Sequence, residues 1–366
     1  MRGGGRLTAR RYRIAAIPGD GIGAEVVEAG LEVLQALATR DGGFALDVTR
    51  YDWGSARYKQ TGAMMPADGL DQLRDAHAIY FGAVGDPGVP DHVTLWGLRL
   101  KICQGFDQYA NIRPARVLPG ITPPLRTAGA EAIDWMIVRE NSEGEYAGAG
   151  GRVHQGHPEE VGTEVAVFTR KGVERVMRQA FEIARNRPAK HLTCVTKSNA
   201  QRHGMVLWDE VFATVAADYP DVATDKVLVD AMTTRMVLKP ATIDTVVATN
   251  LQADILSDLA AALTGSLGVA PTANLNPERA YPSMFEPIHG SGFDIAGQGI
   301  ANPVGAFWTA AMLLEHLGER EPAHALITAV EQTLATGAAF TPDLGGDATT
   351  RAVTDRVIAA IQGANA

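Results

Sequence analysis

Strand-like and helix-like runs alternate along this chain, and that rhythm restricts its fold more than any other feature. "YRIAAIPGD" is an apolar run closed by a turn, and "EVVEAGLEVLQALA" carries helical periodicity. "FALDVTRYD", "DGLDQLRDA" and "HAIYFGAVG" continue as strand, helix and strand, and "IDWMIVRE", "KHLTCVTK", "DKVLVDAM" and "DTVVATN" are later strands. Such alternation predicts an α/β fold with parallel or mixed pairing. The later strands end in polar residues: Arg139 and Glu140, Lys197, Asp230 and Asn250. Open α/β sheets bind ligands beyond the carboxyl ends of their strands, so a site is expected where these residues collect.

A chain of 366 residues, 46% hydrophobic, can bury a large core as two domains or one large α/β unit. Its two cysteines, Cys103 and Cys194, make neither a disulfide framework nor a CxxC site, which predicts a reducing cytoplasmic setting. The net charge is −9, although "MRGGGRLTARRYR" opens the chain with five arginines, so the body is more acidic still. That balance argues against nucleic-acid binding. The arginine-rich start reads as a frayed tail rather than a targeting or nucleic-acid arm. No apolar signal region follows it, and no run of about 18 apolar residues is present to span a membrane.

Several segments carry chemistry. In "NLQADILSDL", Asp254 and Asp258 are spaced i, i+4 on one helical face, with apolar Ile255, Leu256 and Leu259 around them. Such a pair suits a hard cation or a solvated acidic face, and Asp230 after "KVLV" adds a third carboxylate. Lys197 in "TKSN" is either a solvated charge or an acid/base. Arg139 and Tyr146 in "RENSEGEY", with Arg113 in "NIRPAR", read as carboxylate or phosphate clamps and a proton donor or packed ring. "IPGDGIGAEV" is a glycine turn without the GxGxxG spacing of a dinucleotide fingerprint. "FEPIHGSGFDIAGQGIANP" is a long polar loop between apolar runs, able to hold an adenosine through backbone amides and a carboxylate. "YAGAGGRVHQGHPEEVGTEVAVFTR" reads equally as a surface hairpin or a dimerisation arm.

Taken together and in order, these segments resemble the β-decarboxylating dehydrogenases, the family of isocitrate, isopropylmalate, D-malate and tartrate dehydrogenases. "DWGSARYKQTGAMMPADGL", "PDHVTLWG" and "QGFDQYANIRP" are most similar to the tartrate/D-malate branch. The resemblance implies a two-domain isopropylmalate dehydrogenase-like α/β fold with a mixed sheet running across both domains. Residues 1–108 and 265–366 would bind NAD, and 109–264 would carry substrate, metal and dimer contacts. It implies oxidative decarboxylation of a malate-like (2R)-2-hydroxy acid in a homodimer with shared sites. Asp230, Asp254 and Asp258 would hold Mg²⁺ or Mn²⁺, with K⁺ as a further option. Lys197 and Tyr146 would be the acid/base pair. Arg113 and Arg139 would clamp the substrate. Ile22, Gly82, Asn199, Glu286, His289, Gly290, Ser291, Asp294, Ile295 and Asn302 would surround the cofactor. The acidic Asp294 favours NAD over NADP.

One departure stands out. Relatives place an arginine ten residues before the arginine of N-x-R-P, where this chain has Cys103, while Arg99 lies one helical turn earlier. Arg99 would either reach over the small Cys103 to restore the clamp or pair with an anionic or polar group on carbon 3. A thiol activated by Arg99 is a further reading of Cys103. Rival readings of the whole chain are oxidation without decarboxylation and a non-catalytic binding protein of this fold.

Overall fold

The computed structural model describes residues 9–125 and 132–363. The strands are β1 (Arg10–Gly19), β2 (Phe44–Arg50), β3 (Ala78–Ala83), β4 (Ala110–Arg116), β5 (Asp134–Glu140), β6 (Gly144–Val153), β7 (Val161–Val167), β8 (His191–Thr196), β9 (Ala223–Leu228), β10 (Thr245–Ala248), β11 (Pro271–Leu275) and β12 (Ser283–Pro287). Among the described residues, ten of them form one mixed sheet in the order β2-β1-β3-β12-β11-β4-β5-β10-β8-β9. The α/β architecture and mixed sheet expected from the sequence are therefore present.

The sheet consists of two parallel blocks around an antiparallel centre. β2, β1, β3 and β12 run parallel, as do β5, β10, β8 and β9. The β12/β11, β11/β4 and β4/β5 pairs are antiparallel. Three reversals make the two blocks run in opposite directions, so their carboxyl ends lie at opposite edges. The strands whose ends are polar in the sequence, β5, β8, β9 and β10, belong to one parallel block, so Arg139, Glu140, Lys197, Asp230 and Asn250 lie toward the same edge of the sheet, spread along it by the order β5-β10-β8-β9.

Side chains alternate across each strand and so divide between two cores. Ile14 and Ala16 of β1, with Tyr80 of β3, pack under the helices Gly23–Asp41 and Val304–Leu317. Ala15, Ile17, Ile79, Phe81 and Met284 face the other way and are covered by Leu98, Ile102, Cys103 and Phe106.

Residues 1–8 of the arginine-rich start lie outside the described residues, but Arg10, Arg11 and Arg13 do not belong to a frayed tail. They stand in β1, where Arg10 pairs with the buried Glu319, Arg11 pairs with Asp47, and Arg13 donates to the Asp75 carbonyl. A parallel register with β2 holds them in place. β6 and β7 form a separate antiparallel hairpin, with Val153, Val161 and Val165 turned to solvent.

Candidate active site

The antiparallel centre of the sheet carries polar side chains where a strand core is normally apolar. Register sets Met284, Asn274, Asn111 and Arg139 side by side across four strands. Glu286 opposes Thr272 one step along the same face, and Arg113 follows Asn111 by two residues. This face opens into a cleft of about 310 Å³. It is lined by Gly82, Arg99, Arg113, Arg139, Tyr146, Asp254, Asp258, Glu286, His289 and Gly290, all singled out from the sequence.

Arg139 is buried at the end of β5, and Asn250 accepts a hydrogen bond from its Nε at 2.9 Å. Its Nη1 is bound to Asp254, and its guanidinium lies 5.2 Å from the centre of the Tyr146 ring. Tyr146 donates its hydroxyl to Asp254 Oδ2 at 3.1 Å. Arg113 donates to Asn111 at 2.8 Å and to Ser257 at 2.6 Å, and stands 3.4 Å from Asp254. Burial and the repulsion of Arg139 push the Arg113 guanidinium down to about 10. Burial works against the charge of Asp254, but Arg139, Arg113 and Arg99 more than offset it and hold its carboxyl below the usual range. Asp258 is shifted upward by burial, with Arg113 opposing only in part. Burial and Asp254 raise the Tyr146 phenol, which therefore stays protonated near pH 7.

Arg99 ends a π-helical turn, Leu95–Arg99, set between the helices Asp91–Thr94 and Leu100–Gly105. Its Nε and Nη2 donate to Glu286 Oε1 at 2.8 and 2.6 Å, and its Nη2 reaches Asn274 Oδ1 at 3.3 Å. Burial opposes the charge on Arg99, and Glu286 more than restores it. Cys103 is buried in the apolar layer beneath, and desolvation pushes its thiol up to about 11. The activated-thiol reading is thereby corrected: burial outweighs the neighbouring cation. Cys194 is likewise buried core.

The glycine turn after β1 meets the long loop after β12. Gly19 and Gly21 have positive φ, and a Cβ on Gly21 would lie 1.9 Å from the Ser291 carbonyl oxygen. Ile22 N–H donates to that carbonyl at 2.7 Å. His289 Nδ1 contacts the Gly290 carbonyl at 3.0 Å, and its buried Nε2 has no partner. Burial lowers the imidazole pKa, so the ring is neutral near pH 7 with an acceptor available to a ligand. Asp294 is exposed and Ile295 half-buried in the same loop. Asn302 is committed internally, accepting from Val304 N–H and donating to Asp343.

Lys197, Asn199 and Asp230 are not among the residues lining the cleft. Lys197 follows β8 and Asp230 follows β9, where their side chains are joined in an ion pair. Among the described residues no group of three His, Cys, Asp or Glu side chains is arranged for a metal. One chain thus offers Asp254 and Asp258 as hard oxygen donors at the cleft, and its third carboxylate elsewhere. Asp254 and Asp258 are in the helix Asn250–Leu263, whose Leu251 and Ile255 are exposed. The expectation that Ile255 helps bury the carboxylate pair is corrected, since it points outward.

Sequence reading missed Asn111, Asn141 and Asn274. Asn274 Oδ1 accepts from Asn111 at 2.6 Å and from Asn141 at 3.0 Å, while Asn274 Nδ2 donates to Glu286 at 2.8 Å. The available signal was asparagine inside strand-like segments such as "PTANL", where its strand propensity is low.

Residues 13–361 match the family model described as isocitrate/isopropylmalate dehydrogenase. The chain is 67% identical over 356 residues to a probable tartrate dehydrogenase/decarboxylase of Agrobacterium vitis, spanning 97% of this chain and 98% of that one. It is 50% identical over 355 residues to a D-malate dehydrogenase (decarboxylating) of Escherichia coli strain K12, spanning 95% and 98%. Isocitrate dehydrogenase from Methylococcus capsulatus superposes with a TM-score of 0.87 at 34% identity, over 96% of this chain and 99% of that one.

Proposed function

Because this chain belongs to the isocitrate/isopropylmalate dehydrogenase family, we propose that it oxidises and decarboxylates a malate-like (2R)-2-hydroxy acid, using NAD and Mg²⁺ or Mn²⁺. The observation that carries this reading is the gathering of Arg113, Arg139, Tyr146, Asp254 and Asp258 in one cleft. Two buried guanidiniums suit a dicarboxylate, and the paired aspartates suit a hard cation. Membership in the family implies a nucleotide cofactor and a divalent metal in general terms. The acidic, exposed Asp294 supports NAD, because it would bond a free ribose hydroxyl and repel a 2′-phosphate. The unpartnered Nε2 of His289 fits a donor on that cofactor.

When bound, the nicotinamide supplies a hydride acceptor and the divalent cation polarises the substrate's hydroxyl oxygen and stabilises charge developing there. Arg113 and Arg139 orient the acid end of the substrate. Tyr146, whose phenol stays protonated, delivers a proton to carbon after CO₂ departs. The base that removes the hydroxyl proton is Lys197, supplied with Asp230 by a second copy of the chain. Exposed Ile255, Val206, Val237 and Leu238, on helices near these groups, support such a homodimer, as does the hairpin with its outward valines. In this reading residues 1–108 and 265–366 form the cofactor domain and 109–264 the substrate and pairing domain. Among the described residues no helix is long and apolar enough to cross a membrane. The buried unpaired cysteines support a cytoplasmic setting.

Incubating the protein with NAD⁺, Mn²⁺ and D-malate or (2R,3R)-tartrate should yield NADH and CO₂ together, and chelator should abolish both. NADH without CO₂ would replace this reading with simple oxidation. No NADH from any malate analogue would overturn it.

A further inference from the structure

A second cavity, of about 280 Å³, lies where three parallel strands begin. Tyr12 near the start of β1, His77 just before β3 and Pro282 just before β12 border it. The other ends of β3 and β12 reach the active-site cleft, where Gly82, Ala83, Glu286 and Pro287 form part of the lining. The two cavities share no residue, so this one is separate from the substrate and cofactor groups placed above.

Its charge is one-sided. The polar lining is Tyr12, Arg74, His77, Arg279, Tyr281 and His316, with no carboxylate among them. Among the described residues, Arg279 has no ion-pair partner. Arg74 meets the exposed Asp71 at 3.4 Å, and its guanidinium lies 5.5 Å from the centre of the Tyr281 ring. His77 Nδ1 accepts from Arg13 N–H at 2.9 Å, so in the neutral ring Nε2 carries the hydrogen. His316 makes no hydrogen bond among the described residues, and burial with Arg279 pushes its imidazole down to about 4. The acid behind this wall, Glu319, accepts from Tyr12 and is already paired with Arg10.

The backbone gives an independent sign. Arg279 stands in the turn between β11 and β12 with a φ of 56°, a left-handed conformation that suits glycine and costs a long side chain. The turn is closed without the guanidinium: Arg279 N–H donates to the Asn276 carbonyl at 2.9 Å, and Asn276 Oδ1 accepts from Ala280 N–H at 2.8 Å. An arginine thus occupies a glycine-like position and carries a charge that no carboxylate in the wall uses.

We infer that this cavity binds a small phosphorylated molecule, its phosphate gripped by Arg74 and Arg279 with the two imidazoles as further hydrogen-bond partners. Two guanidiniums on separate elements, with ring N–H donors beside them, outnumber the two oxygens of a carboxylate and match a phosphate. Pro282, Leu317 and the two tyrosine rings give apolar surface to a short organic body. The volume falls just under the usual range for small-molecule sites, so a dinucleotide does not fit.

Glycerol 3-phosphate is the probe, titrated calorimetrically into metal-free protein at fixed ionic strength, beside inorganic phosphate and D-malate. The ester should bind, and inorganic phosphate should bind more weakly. Arg279→Gly should weaken ester binding at least about tenfold, the loss expected of one charge-assisted contact, while the thermal midpoint holds or rises because the turn is relieved. Arg74→Gln should weaken it similarly. Absence of ester binding, or binding that survives both substitutions, would overturn the inference. So would inorganic phosphate binding as tightly as the ester, or D-malate binding that Arg279→Gly removes. None of these readouts depends on turnover, so the inference and the proposed reaction stand or fall separately.

Discussion

Tyr146 tests the chemistry most locally, because one atom separates its two roles. Its ring lies under Arg139 and its hydroxyl on Asp254. Tyr146→Phe keeps the ring and removes the proton donor, so kcat should fall by about 10²- to 10⁴-fold with the fold intact. Steady-state kinetics on D-malate measure it, and an unchanged kcat would confine Tyr146 to packing. Single residues also show what the sequence could reveal. Arg113, Arg139, Asp254 and Tyr146 were legible because polar groups at strand ends and helix starts stand out against apolar runs. The pairing of Arg99 with Glu286 was not, because 187 positions separate them and only the sheet order brings them together. Cys103 was misleading for the same reason: sequence shows the nearby cation but not the burial that outweighs it.

Elements connect these residues to stability. β1 is fastened to the far end of the chain by Arg10 and Tyr12, which both bond Glu319 beside the helix Arg320–Ala335. Arg10 holds the Glu319 carboxyl below the ordinary glutamate range, with burial opposing and Tyr12 assisting. A depressed carboxyl contributes stability above its unfolded pKa and loses it as pH falls through the folded one. Glu319→Gln should therefore lower stability near pH 7, though modestly, because Arg10 is exposed and solvent screens the pair. The difference from wild type should shrink as pH drops below the usual glutamate value, as urea midpoints across pH would show. A pH-independent difference would mean packing rather than charge. The hairpin of β6 and β7 is a second case. In the sequence it reads equally as a surface hairpin or a dimerisation arm, and nothing in the segment could reveal that its two strands stand off the main sheet. Its exposed Val153, Val161 and Val165 suit pairing with a second copy. Replacing the tip with a short turn should shift the protein toward monomer in analytical ultracentrifugation and remove activity with it. A truncated protein that remains dimeric would assign the hairpin another role.

At the scale of the whole molecule, run alternation predicted the α/β class, but not the reversal between the parallel blocks. Strand direction depends on which strands become neighbours, and that is decided by packing across the chain. Strand order has a functional consequence. Arg113, Arg139, Tyr146, Asp254 and Asp258 gather at one cleft over the centre of the sheet, while Lys197 and Asp230, after β8 and β9 at its far end, pair together elsewhere. A catalyst needing all of them must draw the last two from another chain, and a twofold dimer does this twice. The central claim is thus that each active site is shared. Lys197→Ala and Asp254→Asn chains, carrying different tags, should each be inactive alone. Randomly assorted dimers of the two should recover about a quarter of wild-type activity, because half are mixed and each mixed dimer holds one intact site. No recovery in preparations shown by tandem tag purification to contain mixed dimers would contradict the account.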